Sequence, residues 1–111
     1  MNYNNRIFRA VSNTPNGEVS GETIFHYQQA GTLLTGTYAG GRIRAGQLLG
    51  TVDAAGNLTF YYHHFNTDGQ LMAGYCQSTP EVRPNGKLRL HEQWRWTSGD
   101  GSSGTSVVEE V

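Results

Sequence analysis

Gly86-Lys87-Leu88-Arg89-Leu90-His91-Glu92-Gln93-Trp94-Arg95-Trp96-Thr97 separates into two faces that alternate residue by residue, the signature of a half-buried β-strand. Leu88, Leu90, Glu92, Trp94 and Trp96 fall on one side, with Lys87, Arg89, His91, Gln93, Arg95 and Thr97 on the other. The first set reads as the interior face, and Glu92 is the misfit within it. The glycine that opens the stretch follows Pro84-Asn85 and reads as the close of a tight turn, because glycine holds a positive φ without a Cβ clash. The same glycine, variable residue, leucine pattern recurs at Gly31-Thr32-Leu33, Gly56-Asn57-Leu58 and Gly69-Gln70-Leu71. Each such leucine is expected to be the first inward side chain of its strand.

Working outward, turn signals at Thr14-Pro15-Asn16-Gly17, Ala30-Gly31, Gly40-Gly41, Ala55-Gly56, Asp68-Gly69, Pro84-Asn85-Gly86 and Ser98 to Gly104 cut the chain into eight extended segments. These run 6–12, 18–28, 32–39, 42–52, 57–65, 70–82, 87–97 and 105–111, and none has a helical period. Hairpin-sized links make each strand pair antiparallel with its sequence neighbour, and an even count lets the last return beside the first. The expected architecture is all-β: an eight-stranded antiparallel up-and-down barrel formed by 1–111 as one domain. Closure also removes exposed sheet edges.

Carrying the turn-set phase along the chain predicts the interior. Leu58, Phe60, Tyr62 and His64 face inward on the fifth strand, and Leu71, Ala73 and Tyr75 on the sixth, with Cys76 pointing away. On the second strand Val19, Gly21, Thr23, Phe25 and Tyr27 face inward. Leu33, Thr35 and Thr37 follow on the third, then Ile43, Ala45, Gln47, Leu49 and Thr51 on the fourth. There Leu34, Tyr38, Leu48 and Val52 blur the alternation, and a bulge near Gly46 or Gly50 would switch it. An interior this rich in hydroxyls and amides, with one carboxylate, suggests a wet pocket rather than a dry core. Glu92 is its natural anchor, satisfied either by a ligand or by His64, a tyrosine, a backbone donor or water.

Fifteen glycines, six tyrosines, four phenylalanines and two tryptophans, with 15% charged residues, suit a turn-rich β domain. The single Cys76 offers no intrachain disulfide, the start Met1-Asn2-Tyr3-Asn4-Asn5 lacks a signal-peptide pattern, and a cytoplasmic location is expected. No run approaches the ~20 apolar residues of a membrane helix, and a net charge of −1 gives no attraction for polyphosphates. Neither membrane nor nucleic acid is an expected partner.

Histidines near acids raise a metal site, but neighbouring residues on a strand, as in His63-His64 and His91-Glu92, point to opposite faces. Glu22 and His26 share a face about 13 Å apart, too far to chelate together. No Gly-x-Ser-x-Gly elbow and no Gly-x-x-x-x-Gly-Lys-Ser/Thr loop occur. No metal and no cofactor are expected. Trp94 and Trp96 read either as a stacking platform or as barrel core.

Eight consecutive hairpin-linked strands around a small interior resemble the calycin group of lipocalins, fatty-acid-binding proteins and avidins. Gly21-Glu22-Thr23-Ile24-Phe25-His26-Tyr27, Tyr61-Tyr62-His63-His64 and Arg89 to Asp100 resemble, nearly end to end, a family of small bacterial single-domain proteins. Many of these carry the name N-acetylglutamate synthase, which implies an acetyltransferase. The chain has no Arg/Gln-x-x-Gly-x-Gly/Ala loop opening a helix, and its length and β pattern do not suit that fold. The lipocalin Gly-x-Trp is absent from Arg6 to Val11. The last strand, Val107 to Val111, has no arginine of the kind with which fatty-acid-binding proteins hold a carboxylate.

The function these residues predict is non-catalytic binding of a small polar or aromatic molecule between Tyr27, Tyr62, His64, Tyr75, Glu92 and Trp94. An enzyme using Glu92 and His64 as an acid–base pair is the first alternative, and requires both to converge on one void with oppositely displaced pKa values. A structural or oligomeric protein with a solid core is the second, with Tyr38, Tyr61 and Phe65 as a partner surface and a homodimer as the form it would take.

Overall fold

Short connections join the strands in sequence from β2 onward and a longer loop joins the first two, and in the computed structural model, which describes residues 1–111, that connectivity closes on itself. The strands are β1 (Arg6–Asn13), β2 (Ile24–Ala30), β3 (Leu33–Gly40), β4 (Ile43–Val52), β5 (Leu58–Asn66), β6 (Leu71–Val82), β7 (Leu88–Trp96) and β8 (Ser103–Glu110). They form a closed antiparallel barrel in sequence order, with β8 paired to β1. No helix is long and apolar enough to cross a membrane.

The second segment shortens most against expectation. β2 begins at Ile24 because the Thr23 amide donates to the Ser20 carbonyl and the Ser20 amide to Thr23 Oγ1, a turn that breaks the extended run. The β1–β2 connection therefore spans Thr14–Thr23. With the β3–β4, β5–β6 and β7–β8 turns it surrounds one end of the barrel, the mouth. The opposite end, the base, is sealed by Tyr3, whose amide donates to Gln29 Oε1 at 2.8 Å and whose hydroxyl donates to the Gly56 carbonyl at 2.5 Å. Its ring packs at 6.5 Å from Phe8 and 6.3 Å from Tyr27.

β7 follows its predicted phase throughout, and so do Leu58, Phe60, Tyr62 and His64 on β5, with Asn66 continuing that inward row. Three strands do not. On β3 the inward residues are Leu34, Gly36 and Tyr38, not Leu33, Thr35 and Thr37. On β4 Ile43 faces in, but a register shift between Ile43 and Ala45 leaves both Arg44 and Ala45 outside and brings Gly46, Leu48 and Val52 in. On β6 the inward set is Gly74, Cys76 and Ser78 rather than Leu71, Ala73 and Tyr75.

A common physical reason underlies the reversals on β3 and β6. A hairpin transmits the phase of the incoming strand and does not set it anew. Leu58 pairs with Val52, Leu88 with Val82 and Leu71 with Phe65, so each leucine shares a face with the residue six positions earlier. Val52 is inward and Phe65 outward, hence Leu58 is 1% exposed while Leu71 is 76% exposed. At the two-residue Gly31-Thr32 turn Leu33 pairs with Ala30 on the outer face, and Leu34 turns in.

Glycines shape the interior by omission. A Cβ on Gly46 would overlap the Tyr38 ring, one on Gly74 the Tyr62 phenol, and one on Gly104 the Trp94 indole. Tyr62 and Trp94 are registered directly across from their glycines. The large rings thus lie down on vacant pleat positions of the neighbouring strand.

Candidate functional site

Below the mouth the rings of Phe25, Tyr38, Phe60, Tyr62, Trp94 and Trp96 wall a narrow well with a free volume of about 40 Å³. That volume fits a water molecule and is well below the ~300 Å³ at which pockets for drug-sized ligands begin. The walls interlock: Phe25 stacks on Tyr38 at 5.0 Å, Trp94 meets Trp96 edge-on at 5.5 Å, and Tyr62 meets Trp96 at 5.8 Å. The expected wet pocket is therefore mostly filled by aromatic side chains.

Glu92 lies on the well's wall in a cross-strand row. β6 places Ser78 directly beside it and β7–β8 pairing places Ser106 on its other flank. Ser106 Oγ donates to one carboxylate oxygen at 2.9 Å and Ser78 Oγ to the other at 3.1 Å. Cys76 Sγ lies 3.7 Å from Ser78 Oγ, and its thiol can donate there because Ser78 spends its own proton on Glu92. Burial pushes the Glu92 carboxyl above the usual carboxylate range, and the hydrogen bonds from Ser106 and Ser78 only partly oppose it. Burial likewise pushes the Cys76 thiol well up.

His64, also on the wall, is engaged at both ring nitrogens. Tyr38 Oη lies 2.9 Å from Nδ1 and Glu18 Oε1 lies 2.7 Å from Nε2. The carboxylate of Glu18 calls for a proton on Nε2, leaving the Nδ1 lone pair to accept from the Tyr38 hydroxyl. Burial pushes the imidazole below its ordinary value, opposed by the hydrogen bond and charge of Glu18. Asn66 completes the group, donating through Nδ2 to the other Glu18 oxygen at 3.0 Å.

Of the six residues predicted to line the interior, Tyr62, His64, Glu92 and Trp94 line the well. Tyr27 is fully buried but lies toward the base, packed between Phe8 at 5.0 Å and Phe25 at 6.3 Å, and its hydroxyl has no partner. Tyr75 is a correction. It stands on the outer wall beside its registered partner Tyr61, ring centroids 5.2 Å apart, because β6 inherits the opposite phase from β5. Tyr38, expected on an outer partner surface, is buried in the well, while Tyr61 is outside.

Glu18, Asn66, Cys76, Ser78 and Ser106 were not anticipated. Ser78 and Ser106 were accessible to sequence reasoning in principle, since the register of β6 and β8 against β7 puts them next to the misfit Glu92. Glu18 was not, because it acts from a loop that reads as strand.

Glu92 and His64 both border the well with their pKa values displaced in opposite directions, as the acid–base alternative requires. Each nonetheless already has protein partners: each carboxylate oxygen accepts from one serine, and both ring nitrogens are engaged. No three His, Cys, Asp or Glu side chains gather in a metal-binding arrangement. A family model described as Avidin-like protein matches residues 1–111, the whole length of the chain. No curated protein and no solved structure matches it.

Proposed function

The chain belongs to the avidin-like protein family, and from that premise we propose that it is a non-catalytic binding barrel whose well takes one small ring-bearing molecule. The observation that carries this reading is a buried carboxyl, Glu92, set in a wall of aromatic rings below the mouth of the barrel. Aromatic walls favour a flat apolar body, and Glu92 favours an N–H or O–H donor while repelling anions. Tyr62, Trp94 and Trp96 supply the stacking surface, and Glu92 supplies orientation.

Catalysis is the weaker reading, because His64 has a protein partner at both ring nitrogens and each Glu92 oxygen already accepts from a serine. The lone pair left on each oxygen can receive a ligand's donor, while no proton relay links the two groups. The small free volume favours a second reading, a barrel filled by its own side chains and serving a structural role. Native mass spectrometry of gently purified protein separates the two. A one-to-one adduct that is lost in Glu92→Gln and retained in Tyr75→Phe supports binding. Bare protein from every preparation, together with no thermal stabilisation by a panel of neutral and cationic N–H-bearing ring compounds, overturns it.

A further inference from the structure

Resting on the reading of the well as a binding site, we infer that the β1–β2 loop, Thr14–Thr23, is a displaceable gate in which Val19 is the stopper and Glu18 the latch. Val19 packs on the core and borders the well at its mouth, so its side chain occupies the way in. The loop is tied at its start through Thr14 and Asn16 and at its end through Thr23. The Asn16 carbonyl accepts from Trp96 Nε1, and its side-chain amide donates to Ser102 Oγ and to the Ser103 carbonyl, each at 3.0 Å. The Thr14 amide donates to the Thr105 carbonyl at 3.0 Å, and Thr23 Oγ1 donates to the Gly40 carbonyl at 3.1 Å.

Between these anchors neither Glu18 nor Val19 makes a backbone-to-backbone hydrogen bond. Their hold on the barrel comes from side chains. The Asn13 amide donates to the Val19 carbonyl at 3.0 Å, and the Glu18 carboxylate meets His64, Asn66 and, at 3.5 Å, the exposed Arg42. A segment held this way can swing out without breaking any strand pairing. One latch partner, His64, is itself a wall of the well, so an occupant that engages His64 Nε2 competes with Glu18 and favours the open gate.

Cys76 reports the gate without any ligand. It is the only cysteine, it lines the well, and it is 3% exposed. Methyl methanethiosulfonate is small and neutral; the Cys76 thiolate attacks its sulfenyl sulfur, forming a methyl disulfide and releasing methanesulfinate. At one fixed pH, Glu18→Ala and Val19→Ala are expected to speed this reaction by about tenfold, with Arg42→Ala giving about twofold, at urea concentrations far below unfolding. Tyr75→Phe, on the outer wall, should leave the rate alone. Unchanged rates in Val19→Ala and Arg42→Ala overturn the gate even if Glu18→Ala fails to fold. So does a rate that rises only in step with global unfolding. A working gate with no adduct in native mass spectrometry would refute the binding reading alone, and the reverse result would refute the gate alone.

Discussion

Tyr38 and His64 stand two strands apart yet share a 2.9 Å hydrogen bond, because the residue registered between them is Gly46. The Tyr38 ring crosses the place where a Cβ on Gly46 would sit. Gly46→Ala should therefore overpack the well and break the bond, costing about 1–3 kcal/mol. Tyr38→Phe removes only the bond and should cost about 1 kcal/mol. Urea unfolding of both variants checks the order, and equal losses would mean that the ring moves freely aside.

The repeated glycine, variable residue, leucine pattern hides two kinds of leucine. Leu58→Ala and Leu88→Ala empty core positions and should cost about 2–5 kcal/mol. Leu33 is 46% exposed and Leu71 is 76% exposed, so their alanine variants should stay within about 0.5 kcal/mol of the parent. Four denaturation midpoints decide whether the inherited phase described for β3 and β6 is correct.

Burial holds the His64 imidazole below its ordinary value. The unfolded chain therefore binds more protons between the folded value and the unfolded value of about 6.5, and stability from His64 is lost as pH falls through that window. Glu18→Gln takes away the opposing charge, so the His64 titration followed by NMR should move lower still. A shift upward would show that Glu18 does not support the charged form of the ring.

Glu92 runs the other way. Burial holds its carboxyl above the usual range, so the folded state binds the extra proton above the unfolded value of about 4.3. The stability it contributes is full below that pH and declines as pH rises through the folded value. Glu92→Gln should flatten this dependence, gaining thermal stability over the parent near pH 7 and losing the advantage near pH 4. Parallel curves for the two proteins would place the titration elsewhere.

What could be read from the chain depended on whether a strand's inner face was written in apolar side chains. β7 alternates strictly, so its phase and the buried Glu92 were legible at once. β3, β4 and β6 put Gly36, Gly46 and Gly74 on the inside and Leu49, Leu71 and Tyr75 on the outside. A pattern of hydrophobicity cannot see an inward glycine, which contributes space rather than surface. The pairing of residues six apart across these hairpins would have corrected β6, since Phe65 already alternated against the inward His64. The Glu18–His64 contact joins positions 46 residues apart through a loop, and no local period encodes that meeting.

Both indole N–H groups are tied to the same part of the molecule: Trp96 Nε1 donates to the Asn16 carbonyl at 3.0 Å and Trp94 Nε1 to Asn13 Oδ1 at 3.1 Å. The chain has no other tryptophan. Its tryptophan emission, excited beyond the tyrosine absorption band, is therefore a label-free optical signal from the rim alone, silent about the base. A spectral shift in this protein can be assigned to an event at that rim before any dye or isotope is introduced.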